Sequence, residues 1–314
     1  MGVKIRSGST TSQSYINNLF LCDGRANFET PSLLLAESIR SALGGYPDIV
    51  AYTPNSKLGA INDVTRKMME ILNVDIRGFD DQLVKWSPKY PHGNKILASR
   101  ERRETELSVF LDTDVVCLGP PDFSVITQNT PLFATPEGVP TWGRDEQDWV
   151  PVYEMFGLEI PDWRVRLIKG RRRVVLPYFN AGVVGFVEKG NPAGMRFPDV
   201  WFDSATKIDA NPLIGGKRPW LDQISLPVAA ARMGGRVEVL SDLHNFSPYR
   251  LNSQAKLNDV RLFHYRMPAF YRKYDECKRN TERLLARAPL NLRSRVRRRL
   301  GVFLRGIQLP EELL

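Results

Sequence analysis

Short apolar runs alternate along this chain with longer stretches in which apolar residues recur every three or four positions. Residues 18–22 (NLFLC), 48–53 (DIVAYT), 74–79 and 107–111 read as strands. Residues 30–43, 61–72 and 95–105 carry helical spacing between them. Thr30 suits a helix cap, Pro31 suits a first turn, and Gly44-Gly45 ends the helix they open. This alternation predicts an α/β fold, with a mostly parallel sheet covered by helices on both faces. In such sheets ligands gather at the carboxyl ends of strands, and Asp23 and Asp112 both follow strand ends.

After Asp114 the pattern loosens. Residues 131–135, 174–187, 236–240 and 260–265 are strand-like, 142–156 form a helix or lid, and 220–233 form an amphipathic helix ended by Gly234-Gly235. Residues 1–17 are polar and read as a flexible lead, 18–275 as the main domain, and 276–314 as a basic helical tail broken at Pro289.

Composition is ordinary for a globular chain, with 42% hydrophobic and 25% charged residues among 314. No stretch approaches the ~20 apolar residues of a membrane helix. Cys22, Cys117 and Cys277 are odd in number and far apart, so they read as free thiols of a cytoplasmic protein. Between Asp275 and Leu309 ten Lys/Arg stand against three acids, which places +7 of the net +9 in the tail. The body is nearly neutral, and no nucleic-acid partner is expected. Leu292, Val296, Leu300, Phe303 and Ile307 form an apolar stripe among those arginines. Such a helix either lies on an anionic membrane surface or packs its stripe on the body.

The densest chemistry is in residues 109–118, VFLDTDVVCL. Asp112 and Asp114 end an apolar strand, where residues two apart share a face. Two carboxylates so placed repel unless a cation lies between them. Mg²⁺ or Mn²⁺ carrying a diphosphate is the natural occupant. Four further segments bear on this pair. Phe179-Asn180-Ala181-Gly182-Val183 is a polar amide and small residues before an apolar strand. Asp222-Gln223 opens a helix, His264 closes a strand, and Lys95 stands in a first helical turn, where it could reach a phosphate.

In this order the segments resemble the nucleotide-sugar glycosyltransferases of the GT-A (Rossmann-like) fold, most closely family eight, which holds bacterial lipopolysaccharide galactosyl- and glucosyltransferases and the glycogenins. The resemblance covers roughly residues 19–265. It implies Mn²⁺ (or Mg²⁺) on Asp112, Asp114 and His264, with Asp112 also facing the donor. It implies donor-sugar contacts from Asn180 and Gly182, and Asp222 and Gln223 beside the anomeric carbon. Asp23, Asn27 and Phe28 would hold the nucleotide, with Phe28 stacking on the base. The family's late lysine is replaced here, and Arg266, like Lys95, is a candidate to neutralise the diphosphate. The implied reaction moves a sugar from a nucleoside diphosphate, UDP by family default, to a hydroxyl of a saccharide or lipid-linked acceptor, with retention of configuration.

Asp222 is then the candidate nucleophile, or Gln223 stabilises an oxocarbenium-like ion. An inverting enzyme would instead need a base such as Asp145, Glu146 or Asp148. Two other classes start from the same residues. Asp112-Thr113-Asp114-Val115-Val116 also fits the opening motif of haloacid-dehalogenase-like phosphatases, with Asp112 as nucleophile. That family sets the motif on its first strand, whereas three βα units precede it here. A non-catalytic sugar-nucleotide binder is the third.

Overall fold

The structure, a computed structural model, describes residues 16–21, 26–45, 47–123, 132–191, 193–248 and 257–313, with side chains from Phe28 onward. In chain order the first half comprises β1 (Ile16–Leu21), α1 (Ala26–Leu43), β2 (Ile49–Pro54), α2 (Asp63–Ile71), β3 (Val74–Phe79), α3 (Gly93–Arg100), β4 (Leu107–Leu111) and β5 (Val115–Cys117). Then come β6 (Leu132–Pro136), α4 (Val150–Glu154), β7 (Val165–Arg166), β8 (Val174–Val175), β9 (Phe179–Val187), α5 (Phe197–Ala210) and α6 (Leu221–Arg232). The chain closes with β10 (Val237–Val239), β11 (Leu262–His264), α7 (Pro268–Lys273), α8 (Asp275–Arg287) and α9 (Leu290–Leu300).

Seven strands form one sheet in the order β10-β6-β9-β4-β1-β2-β3. Only β9 runs against its neighbours β4 and β6, and every other pairing is parallel. The mixed, mostly parallel sheet agrees with the sequence pattern. β9 is apolar almost throughout and buried on both faces, as a central strand must be. Helices α1 and α2 cover one face with Leu33, Leu34, Met68 and Met69. Helices α3 to α6 cover the other with Ile96, Tyr153, Trp201 and Ile224.

Several expected boundaries move for local reasons. Helix α1 begins at Ala26 rather than at Thr30. Buried Glu29 is held by Thr65 and Arg299, and Thr30 donates to the Arg299 carbonyl instead of capping. Helix α3 stops at Arg100, because Arg103 turns inward to pair with buried Glu188. The run 174–187 divides into β8, which pairs with β7 outside the main sheet, and β9 within it. Residues 142–156 hold a short 3₁₀ turn and α4. Helix α5 was not foreseen.

The tail takes the second of its two expected forms. Leu292, Val296, Leu300 and Phe303 are buried in the same core cluster as α1 and α2. Arg299 meets Glu29 at 2.6 Å, and Arg283 and Arg287 meet Glu37, a carboxylate with no solvent exposure. The stripe that would have entered a membrane is therefore occupied, which leaves Arg295, Arg298 and Arg305 facing solvent. Among the described residues no helix is long and apolar enough to cross a membrane.

Candidate active site

Strand β4 ends at Leu111, and Asp112 follows in a turn rather than in extended chain. The Asp112 amide donates to the Gly182 carbonyl of β9 (2.8 Å), and the Val115 amide closes the turn on Asp112 (3.1 Å). Strand β5 then pairs antiparallel with β11, with His264 opposite Val115. This ladder sets the imidazole beside Asp114, its Nε2 3.2 Å from Oδ1. Ligand atoms of Asp112, Asp114 and His264 lie within 4.8 Å of one another. Burial would raise the Asp114 carboxyl, but the adjacent His264, with a backbone hydrogen bond and the Lys95 charge, holds the group below the usual carboxylate range.

A relay of amides fixes the histidine. Glu137 stands just past the end of β6, and its Oε2 accepts from the Asn180 Nδ2 (2.7 Å). The Asn180 Oδ1 then accepts from the Gly182 amide (2.9 Å) and from the Asn245 Nδ2 (2.8 Å). The Asn245 Oδ1 is left facing His264 Nδ1 at 3.0 Å. A carboxylate can only accept, so each amide in the series has one admissible orientation. The series makes Nδ1 the donor to Asn245 and turns Nε2 to the carboxylate side, where it donates to Asp114 when protonated and would offer its lone pair to a cation that displaced that proton. Two carboxylate oxygens and one such imidazole suit a hard or borderline divalent cation such as Mn²⁺ or Mg²⁺.

Lys95 occupies the other side of Asp112. Its ammonium lies 3.0 Å from Asp112 Oδ1, 3.1 Å from Asp222 Oδ2 and 3.0 Å from the Ala181 carbonyl. Burial alone would lower its pKa, but the two carboxylates overcome that and raise it, so the side chain stays charged. Asp222 is nearly buried and also accepts from the Tyr90 hydroxyl (3.0 Å). Next to it, the Gln223 Oε1 is buried with no hydrogen-bond partner among the described residues. An unpaired buried acceptor of this kind is costly unless a ligand completes it.

The structure thus brings Asp112, Asp114, His264, Lys95, Asp222, Asn180 and Gly182 together, with some changes of neighbour. The Asn180 amide, expected on a sugar, is engaged by Glu137, Asn245 and Gly182. A Cβ at Gly182 would lie 2.7 Å from His264 Cε1, so its small size admits the imidazole ring. Lys95 faces carboxylates rather than open solvent. Arg266 has a left-handed backbone (φ 58°) and an exposed side chain whose Nη2 lies 3.6 Å from Glu137 Oε1. Phe28 is half-buried in the first turn of α1. Asn27 lies in that turn, its side chain outside the described residues, as is all of Asp23. The alternative bases are engaged locally: Asp145 and Asp148 cap the 3₁₀ turn, and Glu146 pairs with Arg164.

Glu137, Asn245 and Tyr90 were not anticipated. Glu137 follows an apolar run, as Asp112 does, and the same strand-end rule would have found it. Asn245 lies in irregular chain and gives no such signal.

The fold is that of a GT-A glycosyltransferase. A family model for the Rhodobacterales glycosyltransferase domain matches residues 19–234, and the chain belongs to that family. Among solved structures it is similar to the galactosyltransferase LgtC in complex with donor and acceptor sugar analogs, at TM-score 0.56 and 16% identity, covering 89% of this chain and 99% of that one. The apo bifunctional glycosyltransferase WbbM is similar at TM-score 0.52 and 16% identity, covering 91% of this chain and 52% of WbbM. Mouse xyloside xylosyltransferase 1 follows at TM-score 0.50 and 12% identity, covering 80% and 98%. At these identities the likeness is one of fold, and it bears out the resemblance to family eight. No curated protein matches the chain.

Proposed function

We propose that this glycosyltransferase moves a sugar from a nucleoside diphosphate, UDP by the family resemblance, to a hydroxyl of a saccharide or lipid-linked acceptor. The observation that carries the reading is the Asp112–Asp114–His264 trio facing the Lys95–Asp222 pair across one carboxylate. Asp112, Asp114 and His264 would hold Mn²⁺ or Mg²⁺, which as a Lewis acid neutralises a diphosphate leaving group. Lys95 holds Asp112 and Asp222 in place. Retention is the favoured outcome. The Asp222 carboxylate is clasped by Lys95 and Tyr90, which restrains it as a free nucleophile. The unpartnered Gln223 Oε1 suits stabilisation of positive charge at an anomeric carbon while the acceptor attacks from the leaving-group side. The phosphatase and inert-binder alternatives find no support in the family match or in the structural neighbours.

The test is Mn²⁺-dependent hydrolysis of a panel of nucleotide sugars by the wild type and by Asp112→Asn/Asp114→Asn. Activity in the wild type and its loss in the double variant are expected. Full activity in the double variant would overturn the assignment.

A further inference from the structure

The residues joining β7 to β8 fold back onto the end of β6. The Ile168 and Lys169 amides donate to the carbonyls of Glu137 (3.2 Å) and Gly138 (3.0 Å). The hairpin is thus seated on the carboxylate that begins the amide relay to His264. Beside it opens a cavity of about 300 Å³ whose charged lining is Arg144, Lys169, Arg171 and Arg173, with no acidic residue among the described residues of its wall. None of the four forms an ion pair with a carboxylate among the described residues, and Arg144 donates only to the Pro140 carbonyl (3.2 Å).

The cavity borders the candidate active site through two contacts. The Lys169 stem lies over Gly138, where a Cβ would come within 2.8 Å of its Cδ. Burial, reinforced by the Arg266 charge and opposed by Glu137, pulls the Lys169 ammonium down to about 8. Glu137 itself separates the two regions. Its Oε2 accepts from Asn180, which leads through Asn245 to His264, whereas its Oε1 faces the Gly138 amide (2.6 Å) and Arg266. On the proposed function, diphosphate charge would be met on the first side by a cation held by the trio. The second side holds the exposed Arg144, Arg171 and Arg173 with no ion pair among the described residues, and a neutral sugar would leave them so. Guanidinium groups bind phosphate and carboxylate in bidentate fashion, and a cavity lined by one sign of charge concentrates the opposite sign.

We propose that this basic cavity is the acceptor side of the active site and receives an anionic group, phosphoryl or carboxylate, borne by the acceptor saccharide. The proposal rests on the glycosyl-transfer reading above.

The experiment measures binding of D-glucose 6-phosphate, D-glucuronate and D-glucose by NMR titration, with UDP and Mn²⁺ saturating. At least one anionic sugar is expected to bind ten-fold or more tightly than glucose. The tighter anion identifies the group recognised. In Arg171→Ala/Arg173→Ala that preference falls ten-fold or more, and Arg171→Lys/Arg173→Lys restores most of it. Equal binding of all three sugars, no binding of either anion, or an unchanged preference in the alanine variant overturns the proposal. Wild-type nucleotide-sugar hydrolysis is read separately: its absence would overturn the function, whereas the sugar titration judges the cavity.

Discussion

His264 Nδ1 lies 3.0 Å from Asn245 Oδ1, and this contact decides which ring nitrogen faces Asp112 and Asp114. The orientation is imposed from Glu137 through Asn180. Removing such an outer partner commonly lowers metal affinity by about 10- to 100-fold. Asn245→Ala and Glu137→Ala should each weaken Mn²⁺ binding by roughly that factor, read by calorimetric titration. A loss below about three-fold in both would show that the relay does not govern the ligand.

Lys95 is the sole cation seen between Asp112 and Asp222 among the described residues. Lys95→Met leaves a buried carboxylate without its counter-charge, a change that costs about 3 kcal/mol where one partner stays partly solvated, as Asp112 does. Urea unfolding without metal should show that loss. Saturating Mn²⁺ should recover more stability in the variant than in wild type, because the ion replaces the missing charge beside Asp112.

Gly182→Ala would set a methyl group against the imidazole at 2.7 Å. Overpacking of this kind costs about 1–3 kcal/mol. The ring is expected to turn away from Asp114, so Mn²⁺ affinity should fall with stability. Thermal unfolding with and without Mn²⁺ reads both, and a variant with wild-type Mn²⁺ stabilisation would contradict the packing argument.

Lys169 titrates near 8 in the folded protein, against 10.5 for an ordinary lysine, mainly through burial and then through Arg266. Between those values the unfolded chain binds more protons, so this group makes stability rise as pH increases from 8 towards 10.5. Below pH 8 both states are protonated, and burying the charge carries its full cost. Lys169→Met should therefore be more stable than wild type at pH 7 and lack this lysine's share of the rise. Unfolding midpoints at pH 7 and 9.5 test the sign.

Leu300 and Val296 are almost fully buried beneath α1 and α2. Leu300→Ala should cost about 2–5 kcal/mol, as at other core sites. Substituting exposed Arg298 in the same helix should change stability by less than about 0.5 kcal/mol. Equal effects from the two would mean that the tail does not share the core.

Much of this was legible in the chain. Alternating strands and helices up to Leu111 gave the sheet, because central strands are apolar and their helices periodic. Asp112, Asp114 and His264 stood out because carboxylates and a lone histidine at strand ends are chemically conspicuous. The position of Lys95 was visible but its neighbours were not, since depth of burial depends on how α3 crosses the sheet. Asn180 and Asn245 meet across 65 residues, a pairing that no local pattern encodes. Helix α5 does carry a readable stripe of Phe197, Val200, Trp201, Ala205 and Ile208. It is obscured by the glycines and prolines between Gly190 and Pro198, which signal a loop.

The pairing of Thr30 with Arg299 joins positions 269 apart in sequence. Helix α1 leaves the ribosome well before α9. At ordinary translation speeds the interval is on the order of tens of seconds. Throughout it Leu33, Leu34, Met68 and Met69 await their final cover, and buried Glu29 and Glu37 await their arginines. Emergence of α9, rather than of the sheet and its flanking helices, is thus the event that allows this face of the molecule to close.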